Sequence, residues 1–486
     1  MMRPDVLTAM LVRMAHHKPL RRILLRQIDK QVYKGLVNPA SPDPEMVQLR
    51  RYQYLSAMLH CVARGIDKGI VSPQVVERIV DVFVRSSLIG DDQGRQRCFE
   101  TFQAKYGQLP PTFIVVSPTQ RCNLQCIGCY ADSSAHQAAT LPYELVDRVL
   151  SDAHDIFGCR FITISGGEPL LYRSNGKTLL DLFRKYNDIF FLFYTNGTLI
   201  DQETAKVLHE LGNVTPAISV EGYQEQTDGR RGKGVFKRIL DGLEQLRRYG
   251  VPFGISVTAT SQNADLLSED RFYEYYFEQE GACYMWMFQL MPIGRGQDEL
   301  SLMVSPEKRV QLFRQWERML AEKRYCVADF WNSGVLAKGC IAYGRSGGYI
   351  YVDWHGHVTP CVFIPYYVDT VQELYAQGKT LADALFSEFM IRGRQWQNEY
   401  GLANPHRPGN WLMPCSIRDH YDHFRGCIVT ADVRPQDQKA MEGLQSEDFH
   451  RVMCEYDRQL EELTSPIWQQ EYLQEGKIHQ PVGVSR

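Results

Sequence analysis

Short runs of β-branched and aromatic residues alternate with longer amphipathic stretches from Thr112 onward. The runs are Phe113–Val116, Phe161–Ile164, Phe190–Tyr194, Ala217–Val220, Gly254–Thr258 and Met285–Leu290. Six apolar runs spaced by helical segments predict parallel βαβ units with strands buried on both faces. The expected fold is α/β, a partial (β/α)6 TIM-like barrel. In barrels of this kind sites form at the C-terminal ends of the strands.

The flanks have other rhythms. Leu7, Met10, Leu11 and Met14, and then Leu20, Ile23, Leu24 and Ile28, recur at helical spacing, with Pro19 between the two sets. Ser72-Pro73 reads as an N-cap followed by proline at the first helical position, with Val75, Val76, Ile79, Val80 and Phe83 as one stripe. Residues 1–105 therefore read as a helical region, with 38–44 as a linker. Residues 106–330 read as the barrel. From 331 to 435 the pattern is α+β: Gly347–Asp353 alternates like a hairpin strand and 354–357 like its turn. A polar helical tail is expected over 436–486.

The chain has 486 residues, a formal net charge of −3 and 44% hydrophobic residues, an ordinary folded composition that gives no global argument for nucleic acid. No run approaches the ~18 apolar residues of a membrane span, and the first residues do not read as a secretory signal. The expectation is a cytoplasmic protein. Residues 1–34 are nonetheless basic, with Arg3, Arg13, Lys18, Arg21, Arg22, Arg26, Lys30 and Lys34 against Asp5 and Asp29. Such a helix can lie on the inner, anionic face of a membrane or pack on the protein with a solvated basic face.

Thirteen cysteines are many for a cytosolic chain, where clustered thiols more often bind metal than form disulfides. Cys122, Cys126 and Cys129 stand as C-x3-C-x2-C directly after the first predicted strand. Three thiolates on one loop can hold three irons of a cubane and leave the fourth open to a small molecule. Zinc is the competing reading, but its sites usually show paired C-x2-C units with a fourth ligand nearby. No such partner is adjacent here.

With its neighbours in order, this loop resembles the radical S-adenosylmethionine superfamily across roughly 112–300. Ser165-Gly166-Gly167-Glu168-Pro169 ends the second strand, Tyr194-Thr195-Asn196-Gly197 the third, and Ile218-Ser219-Val220-Glu221-Gly222 the fourth. Arg231-Gly232-Lys233-Gly234-Val235-Phe236 follows, and Gln289–Gly296 ends the last strand. The resemblance implies a [4Fe–4S] cluster on the three cysteines with S-adenosylmethionine on its open iron. Gly166, Gly167 and Glu168 would meet the methionine amino group, Ser219 and Glu221 (in place of the usual Asp) the ribose, and Arg231 a carboxylate. Asn196 belongs to the same set. The residue before the third cysteine, often aromatic in the superfamily, is Gly128, so Tyr130 is expected at the adenine edge.

Cys340, Gly356 and Cys361, spaced C-x15-G-x4-C, resemble the opening of a SPASM or twitch extension, with Cys415 and Cys427 following. One auxiliary [4Fe–4S] cluster on these four is the implied assignment. A zinc site, free thiols, or ligation by His355 or His357 are the alternatives. Cys61, Cys98, Cys159, Cys283, Cys326 and Cys454 have no partner spacing and read as small buried residues.

The resemblance further implies a reductase such as flavodoxin or ferredoxin, and hydrogen abstraction from a C–H bond of a peptide, protein or lipid. A small-molecule or cofactor pathway is the alternative. A non-catalytic Fe–S carrier would not need the strand-end segments in matching order.

Overall fold

The computed structural model describes residues 4–89 and 92–473. Arg3, the side chains of Asp5 and Leu7, and residues 474–486 lie outside them. Five helices lead: α1 (Pro4–His16), α2 (Lys18–Leu36), α3 (Glu45–Asp67), α4 (Pro73–Ile79) and α5 (Gln93–Tyr106). Ser72 caps α4 by accepting from the Val75 N–H.

The main sheet contains β1 (Phe113–Val116), β2 (Phe161–Ile164), β3 (Phe190–Thr195), β4 (Val214–Val220), β5 (Gly254–Ala259), β6 (Tyr284–Gln289), β7 (Val327–Asp329), β8 (Tyr349–Val352) and β9 (Val358–Thr359). Its order is β9-β8-β1-β2-β3-β4-β5-β6-β7, parallel except for β9. The six predicted runs are β1–β6 in sequential order. The predicted hairpin is β8–β9, turned at 353–357. β8 pairs in register with β1, Phe113 opposite Tyr349, and β7 pairs with β6, so 331–435 pack directly onto the barrel and share its core.

Crossover helices bury one stripe each. In α6 (Tyr143–Asp155) Val146, Val149, Leu150 and Ala153 face the sheet. In the helix Val235–Tyr249 the stripe is Phe236, Ile239, Leu243 and Leu246, and Gly250 ends it in the left-handed conformation.

The N-terminal helices sit under the strand starts, away from the loop that follows β1. Arg78 donates to the Asn187 carbonyl before β3, Ser72 N–H to Gly250 O before β5, and Arg64 to Arg324 O before β7. α1 and α2 pack through Leu11, Met14, Leu25 and Ile28 on Ala63 and Ile66 of α3. Arg21 is buried there, its guanidinium held by Met14 O, Ala15 O and Asp67. The outer face of α2 keeps Leu20 and Ile23 about half exposed among exposed Arg22, Arg26 and Lys30.

Candidate functional site

The cysteine loop leaves β1 at Ser117 and is fixed by backbone contacts before any ligand is considered. Gly167 N–H donates to Thr119 O (2.9 Å) and Glu168 N–H to Arg121 O (2.8 Å). A Cβ at Gly167 would stand 2.2 Å from Arg121 O, and one at Gly166 2.6 Å from Thr119 O. Glycine is required at both because the β2 end and the cysteine loop touch backbone to backbone.

Glu168 is completely buried. Its carboxylate accepts from Thr195 Oγ1 (2.8 Å), Asn196 N (2.8 Å) and Leu170 N (3.1 Å). Burial still raises its pKa to about 7 against those donors. Asn196 Nδ2 donates to Asn123 Oδ1 (2.8 Å) and lies 3.8 Å from Cys122 Sγ, tying β3 to the loop. Leu124 N–H points at the same sulfur, 3.4 Å away.

Glu221, at the end of β4, is as buried. Its Oε1 accepts from Arg230 Nη1 (2.5 Å) and Arg231 Nε (2.9 Å), while Oε2 is buried with no protein partner. Arg230 also donates to Ile127 O at 3.0 Å, so two cations stand against the loop beside Cys126. Arg295 closes the other side, donating to Cys126 O (3.2 Å), Asp132 (2.6 Å) and Ser133 O (2.7 Å). Tyr130 reaches Ser165 Oγ (2.8 Å) and meets Phe363 edge-on at 5.9 Å.

Cys122, Cys126 and Cys129 line one cavity of about 450 Å³ together with Gly166, Gly167 and Ser219. The thiols act electrostatically on one another, and burial pushes Cys122 up to about 12. Closely set sulfurs beside peptide N–H groups and two guanidiniums fit a group that delivers iron and stabilises thiolate.

Cys340, Cys361 and Cys415 form a second set, with Cys361 buried and the other two half-buried, in which Cys340 and Cys361 raise the proton affinity of Cys415 and Cys340 that of Cys361. Tyr349 Oη lies 2.9 Å from Cys361 Sγ and Phe363 N–H points at it from 3.4 Å. The Trp331 indole faces Cys415, and its N–H has no full hydrogen bond among the described residues. A buried donor aimed at clustered thiols fits an anionic sulfur cluster. Cys415 opens the helix Ser416–Asp419, which Arg309 grips by a buried pair with Asp419. Cys427 is exposed on the turn Phe424–Ile428, twelve residues of mostly helical chain beyond Cys415. His357 is engaged by Asp353 (2.8 Å) and stacks on Tyr367, and His355 lies in the same turn. Arg230 is not singled out in the sequence, although it adjoins Arg231, and Arg295 is legible there only as part of the segment that ends the last strand.

Residues 116–265 match the family described as "Radical SAM superfamily". Among curated proteins, "Fe-coproporphyrin III synthase" of Methanosarcina barkeri is 31% identical over 224 residues, 44% of this chain and 53% of that protein. "AdoMet-dependent heme synthase" of the same organism is 28% identical, over 54% of this chain and 80% of that protein. The "Cysteine-type anaerobic sulfatase-maturating enzyme" of Clostridium novyi is 24% identical, over 56% and 78%. The crystal structure of Streptococcus suis SuiB bound to S-adenosylmethionine is similar at a TM-score of 0.49 and 15% identity, over 70% of this chain and 83% of that one. The chain thus spans about half of the first of these relatives and about four fifths of the other two. The C-x3-C-x2-C loop lines one cavity with Gly166, Gly167 and Ser219, and the segment that carries them, residues 116–265, matches the radical S-adenosylmethionine superfamily, whose members use a [4Fe–4S] cluster and S-adenosylmethionine.

Proposed function

We propose that the protein is a radical S-adenosylmethionine enzyme that takes a hydrogen atom from an unactivated C–H bond of a peptide, protein or lipid. The supporting observation is the convergence of Cys122, Cys126 and Cys129 with Gly166, Gly167, Asn196, Ser219 and Arg231 on one cavity. When bound, the cluster and S-adenosylmethionine supply one-electron cleavage of the sulfonium and an adenosyl radical able to abstract hydrogen.

This chain's residues do the rest. Glu168 offers a carboxylate to the methionine ammonium and Glu221 Oε2 an acceptor to a ribose hydroxyl. Arg231 and Arg230 hold Glu221 by its Oε1, and Tyr130 borders the cavity on the β2 side. Phe288, Phe330 and Phe363 pack within 6 Å of one another and exclude water from the reacting end. Cys340, Cys361 and Cys415 hold an auxiliary cluster, and the exposed Cys427, expected from the sequence as a fourth ligand, does not take part in it. A reductase such as flavodoxin or ferredoxin supplies the electron.

Relatives named as a sulfatase-maturating enzyme and as a sporulation killing factor maturation protein support the peptide or protein arm. The exposed Leu20 and Ile23 among cations support the lipid arm, with α2 resting on an anionic membrane. A second reading, a cofactor precursor as substrate, is favoured by the two synthases named among the relatives.

The test is 5′-deoxyadenosine release from anaerobically reconstituted, reduced protein. Stimulation by a membrane lipid extract supports the lipid arm. Stimulation by peptides, or by a porphyrin precursor, supports the corresponding alternative. No release from protein loaded with both clusters would sink the enzyme reading in favour of an electron carrier.

A further inference from the structure

The long C-terminal helix carries chemistry that neither cysteine set uses. His450 and Cys454 stand one turn apart on the helix Glu447–Ile467, and this spacing puts them on one face. Asp422 meets that face from the turn Tyr421–His423. One ligand atom from each of Asp422, His450 and Cys454 lies within 4.8 Å of the other two.

The fold holds the three in place from both sides. Tyr421 N–H donates to Asp457 Oδ2 (2.7 Å) on the same helix, and Tyr421 Oη donates to Gly443 O (3.1 Å). The Tyr421 ring packs on Phe449 at 5.5 Å and on His450 at 5.9 Å. Asp422 is therefore anchored to the helix by the residue before it, and its own N–H points at the Cys454 sulfur.

The imidazole has a carboxylate on each side. Its Nε2 meets Asp422 Oδ1 at 3.0 Å, and its Nδ1 faces Glu447 Oε2 at 3.8 Å. Glu447 is itself paired with Arg425 at 2.6 Å. Burial raises the Cys454 pKa, and the Asp457 and Asp422 carboxylates add to it. A thiol so placed holds a proton that a divalent cation displaces. His450 and Cys454 are half-buried and Asp422 is exposed, so an ion enters from the Asp422 side.

Thiol, imidazole and carboxylate make a mixed sulfur, nitrogen and oxygen set. Magnesium and calcium take oxygen ligands and copper(I) takes sulfur, whereas zinc accepts all three donor types. A tetrahedral zinc sets its ligand atoms roughly 3.3–3.6 Å apart, so a shift of about 1 Å closes the site, with water in the fourth position. Metal-bound histidine commonly turns its other N–H to a carboxylate, the place that Glu447 takes here.

We infer that Asp422 Oδ1, His450 Nε2 and Cys454 Sγ bind one zinc ion, with Glu447 orienting the imidazole from behind. The ion joins the segment that follows Cys415 to the C-terminal helix. The site does not depend on the radical reading above.

The probe is Zn2+ added to the anaerobically reconstituted full chain, with free metal then removed by gel filtration. Zinc and iron are counted on the same samples. The wild type should hold one zinc per chain more than Cys454→Ser or His450→Gln, at equal iron. Equal iron and an unchanged circular dichroism spectrum show that each variant has folded. X-ray absorption at the zinc edge should show a single sulfur at ~2.3 Å among nitrogen and oxygen neighbours at about 2.0–2.2 Å, and the sulfur should vanish in Cys454→Ser. Glu447→Gln should keep the sulfur and weaken zinc about tenfold. Equal zinc in the wild type and both variants overturns the inference. So does a zinc shell with no sulfur, or one with several, which places the ion on the cluster cysteines instead. Unchanged affinity in Glu447→Gln overturns the orienting role alone.

Discussion

Replacing Arg309 by methionine tests how the second cysteine set is held. Arg309 and Asp419 are 1% and 0% exposed. Arg309 Nη2 donates to Asp419 Oδ2 (3.0 Å) and to Leu412 O (3.1 Å), Nη1 donates to Asp419 Oδ1, and Nε reaches Asn332 Oδ1 (3.2 Å). Asp419 Oδ2 also accepts the Cys415 N–H at 3.1 Å. The pair thus fixes the first turn of the helix that presents Cys415. Removing the cation leaves a carboxylate in a dry interior, which costs about 3–5 kcal/mol, while replacing both partners by apolar side chains is close to neutral. Arg309→Met should therefore lower stability by that amount in chemical denaturation and lose iron from the auxiliary site first. The Arg309→Met/Asp419→Leu double variant should recover at least about half of the loss, a coupling that only a direct contact produces. A single-variant loss below about 1 kcal/mol, or a double variant as unstable as the sum of the singles, would refute the reasoning.

Gly167→Ala should cost the iron held by Cys122, Cys126 and Cys129 while sparing the auxiliary iron, because the added methyl collides with Arg121 O; iron analysis with electron paramagnetic resonance decides it, and retention of both clusters would contradict the close approach. Cys427→Ser should leave total iron unchanged, whereas serine at Cys340, Cys361 or Cys415 should remove one cluster's worth. Asp457 is pushed up to about 8 by burial, with the Asp419 charge adding to it, against an ordinary value of 3.8. Its folded-state pKa is raised, so the stability it contributes is full below the unfolded value and is lost as pH rises to about 8, at roughly 1.4 kcal/mol per unit. The advantage of Asp457→Asn over wild type should therefore grow between about pH 4 and pH 8 and then level off in thermal unfolding; an advantage flat with pH would show that Asp457 ionises freely in the folded protein.

The barrel was legible because its signal is local. Each buried strand is a run of four to seven residues whose apolar character does not depend on its partners, so β1–β6 appear in the sequence at nearly their final bounds. The cysteine loop was legible for the same reason, since three ligands within eight residues need no tertiary information. What escaped depends on pairing across long stretches of chain. Nothing in Tyr349–Val352 says that its partner is β1, 236 residues earlier, and that pairing is what brings Cys361 toward the barrel. The four-cysteine reading of the auxiliary site assumed that spacing alone gathers ligands. Cys340, Cys361 and Cys415 are gathered by β8, β9 and the Arg309–Asp419 pair, and among the described residues no comparable contact draws in Cys427.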